Sequence, residues 1–220
     1  MNKKELKSEL VRYGRRISER ALVIGPGGNI SARLGNTVYM KASGIAFEDA
    51  KESDYIGVNL QTGKVIEGEL RPTSEYQMHL LCYMTRKDVG AVIHSHPPLS
   101  VAYGMLGRTL KPHTPDFVAY IKTDVPVIGY VIPTGRELAE AVSRIIKKHN
   151  GVLMMNHGLL TVGTNLKEAF YRTLLIEDTV KTLIAAKIMG KMKFLTGEQV
   201  RGINNLKAEA YRRALLKKMK

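Results

Sequence analysis

The chain has 220 residues, 44% of them apolar, which is enough to bury a sizeable core and leads us to expect one domain over 1–220. A single cysteine, Cys82, excludes a Cys-rich structural zinc site and, with no leader-like start, points to a reducing cytoplasm; no run approaches 18 uncharged apolar residues, so no membrane span is expected. The net charge of +14 is concentrated at the ends, +4 in residues 1–20 and +6 in 201–220, where it reads as the solvated faces of amphipathic helices; with no aromatic stacking platform, nucleic acid is disfavoured as a partner.

Leu6, Leu10, Tyr13 and Ile17 recur at helical spacing and predict a helix over 3–20. A glycine-rich turn, Gly25–Asn29, leads into short strands at 31–34, 37–41, 55–60 and 64–68, with hairpin turns at Gly35-Asn36 and Thr62-Gly63. A helix over about 74–86 follows, with Cys82 inside it, then a β-branched strand from Gly90 and a helix from Leu99 to Met105. Residues 108–125 read as loop with a short helix, and 125–131 as a strand. Thr134 with Glu137 reads as a capping box opening a helix to Lys148. Strands at 152–156 and 159–162 flank an Asn-His-Gly turn. Asn165 with Glu168 starts a long helix to Met189, and a last helix covers 197–219. Short hairpin strands alternating with long helices predict an α/β fold: a central, mostly antiparallel sheet with helices on both faces.

The chemistry gathers around three histidines. His94 and His96 end the strand that begins at Gly90, and residues i and i+2 of a strand face the same way, about 6.5–7 Å apart at Cα. His157 follows a second apolar run, Gly151–Met155. Three neutral imidazoles on two rigid strands, with one position open, form the usual cradle of a catalytic zinc. The plainer reading is that one histidine ends a strand and another faces water. Glu75 opens the helix before His94, where a helix N-terminus and a nearby cation favour its carboxylate form; alone it reads as a helix-start residue. His79, one turn later, reads as a packed helix histidine, with orientation of Glu75 as the alternative. His149 suits a helix end, and His113 falls in a loop. Gly25–Asn29 reads by itself as a turn, although its backbone N–H groups, with the small donors of Ser43-Gly44 and Thr73-Ser74, suit an anion. No Walker-type GK[ST] and no HExxH is present, which disfavours nucleotide hydrolysis and the zincin peptidases.

Five segments occur together in order: GGNIS at 27–31, KASGI at 41–45, TSE at 73–75, HSHP at 94–97 and NHG at 156–158. In order and spacing, over about residues 5–190, the chain resembles the class II aldolase/epimerase family, which includes fuculose phosphate aldolase and ribulose phosphate 4-epimerase.

The resemblance sharpens the fold to a three-layer α/β/α sandwich around a mixed, mostly antiparallel sheet. It implies Zn2+ on His94, His96 and His157, with Glu75 as proton-transfer group and resting ligand. It implies a substrate phosphate on Gly28, Asn29, Ser43, Gly44, Thr73 and Ser74. It further implies a homotetramer with active sites at subunit boundaries, the final helix there as well. Catalytic groups would come from a neighbour: Asp116 or Tyr120 in the 108–125 loop, and Tyr211. The implied reaction is reversible cleavage of a phosphorylated ketose to dihydroxyacetone phosphate and a small aldehyde such as lactaldehyde. An acidic residue at Asp116 keeps the 4-epimerase as an alternative, beside a sugar-phosphate dehydratase. Outside catalysis, a basic metal- or nucleic-acid-binding protein is the remaining alternative. The many lysines leave a Schiff-base route open on the residues alone.

Overall fold

The computed structural model describes residues 1–218. Helix α1 (Lys3–Glu19) opens on Asn2, whose side chain accepts from the Glu5 backbone while Glu5 reaches back, and it buries Leu6, Leu10, Tyr13 and Ile17. Strands β1 (Asn29–Leu34), β2 (Thr37–Lys41), β3 (Tyr55–Asn59) and β4 (Val65–Glu67) form the expected antiparallel meander. Gly35 takes a positive φ of 61° in the first hairpin, the backbone that an L side chain resists. Then come α2 (Tyr76–Thr85), β5 (Ala91–Ser95), α3 (Pro98–Gly104), β6 (Val127–Ile128), α4 (Gly135–Ile146), β7 (Gly151–Met154) and β8 (Gly158–Gly163). Three helices close the described chain: α5 (Leu166–Met189), α6 (Gly197–Asn204) and α7 (Lys207–Lys218).

The eight strands make one sheet in the order β4-β3-β2-β1-β5-β8-β7-β6, antiparallel except for the β6–β7 pair. Side-chain alternation along each strand separates the two faces. Val38 and Met40, Val92, Val152 and Met154, and Leu160 and Val162 pack with α2 and α4, through Met78, Leu80, Leu138 and Val142. Ile30 and Ala32, with Ala91 and Ile93, face α1 and the start of α5, through Leu10, Tyr13, Ile17 and Phe170. Leu153 and Leu159 continue that second face toward Ile176 and Val180 of α5. The result is the helix–sheet–helix sandwich that the sequence implied.

Four expectations change. The strand predicted over 125–131 shrinks to two residues, because Pro126 has no N–H to give and the chain leaves the sheet after Ile128. Thr134 does not cap α4: its φ of 70° turns it away from the extended backbone a capping side chain needs. The short helix in the 108–125 region is a π-helical turn, Phe117–Ile121, closed by Lys122 in a left-handed conformation. The last helix is two helices, broken after Asn204-Asn205; residue 219 of the expected span lies outside the described residues. None of the described helices is long and apolar enough to cross a membrane.

Antiparallel pairing of β1 with β5 sets Asn29, the first residue of β1, opposite His94 near the end of β5. The β5–β8 pairing brings the β7–β8 turn to the same end of the sheet. The site lies there.

Candidate active site and metal centre

His94 is fully buried on β5 and faces α2. Its Nδ1 donates to the Leu159 carbonyl on β8 at 3.1 Å, which leaves the Nε2 lone pair to face the neighbouring imidazoles. His96 Nε2 lies 3.0 Å from His94 Nε2. His157 enters from the β7–β8 turn, where Asn156 takes a φ of 56°, a conformation asparagine tolerates better than most residues. The ring centroids of His96 and His157 lie 4.8 Å from that of His94, and one ligating nitrogen from each histidine falls within 4.8 Å of the others. Behind His96, Glu177 of α5 accepts from the Leu99 and Ser100 backbone N–H groups, at 3.0 and 2.8 Å, and so fixes the first turn of α3.

Glu75 sits at the threshold of α2 with its carboxylate among these rings. Oε2 is 3.3 Å from His94 Nε2 and Oε1 is 3.4 Å from His157 Nε2. Asn29 Nδ2 donates to Oε2 at 2.8 Å, whereas Oε1 is buried without a hydrogen-bond partner among the described residues. Burial lowers the pKa of His94 well below the usual imidazole range and lowers those of His96 and His157, so the rings are held neutral. Two neutral Nε2 atoms this close are comfortable only with a proton or cation between them. Three neutral imidazoles beside a carboxylate with one unsatisfied oxygen therefore fit a divalent metal ion of borderline softness, such as zinc.

The turn after β7 leaves no room beside this cluster. A Cβ on Gly158 would lie 2.6 Å from the Ser95 carbonyl and 2.8 Å from both the His94 and His96 rings. Gly158→Ala is expected to weaken zinc binding by at least about 10-fold, the scale for disturbing groups that orient a ligand. Competition with a chromophoric chelator measures it; affinity within twofold of wild type would show that the rings do not depend on this close approach.

A cleft of about 180 Å³ opens beside the cluster, small enough for a small metabolite. All six residues expected to hold phosphate line it, Gly28, Asn29, Ser43, Gly44, Thr73 and Ser74, and so do Glu75, His96 and His157. Two further features were not foreseen. Lys41, the last residue of β2, also lines the cleft; its Nζ donates to the carbonyls of Pro26, Ala42 and Ile45, and burial lowers its pKa to about 8. Its position at the end of the run TVYMK was the available signal, since a lysine closing an apolar strand has to be placed somewhere. Pro133 and the left-handed Thr134 form another part of the wall.

Asp116, Tyr120 and Tyr211 do not line this cleft. Asp116 and Tyr211 are exposed; Tyr120 is half-buried, with Arg212 and Glu209 of α7 near enough to act on its phenol. The structure of one chain thus brings together the histidines, Glu75 and the cradle, and leaves these three apart. His79 is fully buried and bonded to Asn29 and Ser31. His149 donates to the Asp124 carbonyl, and His113 packs on Phe194.

Comparison with known proteins gives a consistent picture. Residues 8–184 match the family described as the class II aldolase and adducin N-terminal domain. The 5-deoxy-D-ribulose 1-phosphate aldolase of Bacillus thuringiensis serovar kurstaki is 32% identical over 199 residues, 90% of this chain and 92% of that one. An L-fuculose phosphate aldolase of Methanococcus maripaludis (strain S2) is 32% identical over 174 residues, 79% of this chain and 93% of its own. A solved L-fuculose 1-phosphate aldolase superposes with a TM-score of 0.86 at 32% identity, covering 94% of this chain and 96% of that one.

Proposed function

The chain belongs to the class II aldolase and adducin N-terminal domain family, and from that membership we propose that it is a metal-dependent aldolase acting on a phosphorylated ketose. The reaction we assign is reversible cleavage of the C3–C4 bond, giving dihydroxyacetone phosphate and a small aldehyde. Relatives named for fuculose phosphate and for 5-deoxyribulose 1-phosphate bracket the substrate class. The aldehyde is then lactaldehyde or its two-carbon counterpart. The observation that carries the reading is Glu75 Oε1, a buried carboxylate oxygen with no hydrogen-bond partner among the described residues, at the junction of three imidazoles and a donor-lined cleft.

In this reading His94, His96 and His157 hold zinc, with Glu75 as a ligand at rest. The metal supplies Lewis acidity, stabilising the negative charge that spreads over the ketose oxygens as the bond breaks. The chain's own groups do the rest. Gly28, Asn29, Ser43, Gly44, Thr73 and Ser74 seat the phosphate, and Lys41 adds a positive charge beside it. Anchored there, the substrate presents C3 to Glu75. Glu75 Oε1 takes and returns the C3 proton, while Oε2 stays on Asn29. We assign the handling of the aldehyde end to Asp116, Tyr120 and Tyr211 of a neighbouring subunit in a homotetramer, since they lie away from the cleft of their own chain. The whole chain acts as one domain, in the cytoplasm.

The test incubates zinc-loaded protein with dihydroxyacetone phosphate and a series of short aldehydes. A ketose 1-phosphate product is expected; no product with any aldehyde, together with inversion of ribulose 5-phosphate at C4, would replace the aldolase by the epimerase.

Lys41 gives a separate handle. Its pKa near 8 means that it is charged at pH 7 and loses that charge as the pH rises through 8. Phosphate affinity is therefore expected to fall between pH 7 and 9. Lys41→Met should weaken phosphate binding by about 10–100-fold at pH 7, the worth of one charged partner, and flatten the pH dependence. Titration calorimetry with inorganic phosphate measures both; an unchanged affinity in the variant would remove Lys41 from the cradle.

A further inference from the structure

Beneath Glu75 runs a line of buried polar side chains of which the proposed reaction uses only Asn29. Asn29 joins Glu75 Oε2 at one end of its amide and His79 Nε2 at the other. His79 Nδ1 meets Ser31 Oγ at 2.7 Å, and Ser31 Oγ meets the Tyr83 hydroxyl at 2.7 Å. All five residues are buried. They come from β1, from α2 and from Glu75 at its N-terminal threshold, so the line bridges the sheet and the helix that Glu75 opens.

Donor and acceptor rules fix its direction. A carboxylate accepts only, so the amide nitrogen of Asn29 must face Glu75 and its Oδ1 must face His79. His79 Nε2 must then carry the hydrogen, which leaves Nδ1 bare. Ser31 has one hydrogen and gives it to Nδ1, so Tyr83 must donate to Ser31. Every hydrogen points toward Glu75. Any reversed member would set two acceptors or two donors face to face among buried side chains, at the cost of an unsatisfied buried group.

We infer that the hydrogen-bonded chain Tyr83–Ser31–His79–Asn29 is a positioning device for Glu75, with His79 acting through Asn29 as a neutral Nε2–H donor. Resting on the reading of Glu75 as the proton-transfer group, this inference names the atom that does the work. The chain grips Oε2 and leaves Oε1 as the oxygen that takes the proton. Without the His79 donor the Asn29 amide is free to turn over, the carboxylate loses its fixed plane, and Oε1 no longer aims at a single place. His79 is a positioning residue, since it touches neither substrate nor the reacting atoms. A histidine that merely fills space would be served by either tautomer, or by a side chain of similar size.

Two measurements decide it. In full-length protein labelled with [15N]histidine, long-range proton–nitrogen correlation is expected to show His79 with hydrogen on Nε2 and a bare Nδ1 throughout pH 6–8. The opposite tautomer, or a ring protonated on both nitrogens, overturns the inference. The second measurement follows exchange of the C3 proton of dihydroxyacetone phosphate into deuterated water with zinc-loaded protein. His79→Leu is expected to lower kcat for exchange by about 10–100-fold with KM within about twofold, the range for groups that orient reactive ligands. His79→Gln keeps a donor near the Nε2 position and is expected to recover to within about fivefold of wild type. A folded, zinc-replete His79→Leu protein that exchanges within twofold of wild type overturns the inference, and so does a His79→Gln protein as impaired as the leucine variant. If His79→Leu fails to fold, the tautomer in wild-type protein decides. If wild-type protein shows no exchange at all, the aldolase reading falls while the tautomer still tests the chain.

Discussion

Glu75→Gln is expected to slow exchange of the C3 proton of dihydroxyacetone phosphate into deuterated water by about 10²–10⁴-fold, roughly 3–5.5 kcal/mol of barrier. Glutamine keeps the size of the side chain and an oxygen that can accept from Asn29 Nδ2, so the fold and the hydrogen-bonded chain beneath it are retained. What it removes is the basic oxygen, Oε1, which has no hydrogen-bond partner among the described residues. Zinc is expected to stay, because the three imidazoles proposed to hold it are untouched. The exchange assay requires the base but no aldehyde, so it isolates this one step. Exchange at the wild-type rate with zinc bound would make Glu75 a helix-start carboxylate only, and Asp116 would be the next candidate for the base.

His94→Ala is expected to act further upstream, on the metal itself. Wild-type protein should carry about one zinc per chain by elemental analysis. Binding free energies of about 10–16 kcal/mol spread over four ligands give each roughly 2.5–4 kcal/mol. Removing one imidazole should therefore weaken zinc binding by about 10²-fold or more and take turnover to background. His94 is the most telling of the three, being fully buried, with its ring plane set by the Leu159 carbonyl. A His94→Ala protein that retains stoichiometric zinc and turnover would show that the cluster is not the metal site.

The parts of the site that were legible in the sequence are those governed by simple periodicity. His94 and His96 share a face because strands repeat every two residues, and His157 could be placed by the apolar run before it. The turn at Gly35 and the asparagine cap of α5 were legible for the same kind of reason, since both depend on a local residue type with one dominant use. Glu75 needed more, because a glutamate at a helix start has an ordinary use; only the five ordered motifs raised it above that. Lys41 was hidden by tertiary context. A lysine closing a strand reads as a surface residue, and here it is buried with its Nζ turned toward the carbonyls of Pro26, Ala42 and Ile45. Thr134 misled for a related reason. Its spacing to Glu137 matched a capping box, but where it lines the cleft its backbone takes a positive φ that defeats the cap, and spacing carries no sign of φ. His79 was underread because its partner, Asn29, lies in another element, and side-chain pairings between elements leave no mark on spacing.

The strand order has a consequence for how the centre comes into being. β5, which carries His94 and is followed at once by His96, pairs with β1 on one side and β8 on the other. Those neighbours are far from it in sequence, so both pairings close long loops, and such contacts form late and slowly. A chain emerging from the ribosome holds His94 and His96 long before residue 157 has been made. At that stage the metal can be offered only two imidazoles, beside the edge of β5 that still awaits β8, and an open edge invites wrong partners. Tight capture of the ion therefore coincides with completion of the sheet centre, which makes metal retention a reporter of the last stage of folding and not of its nucleation.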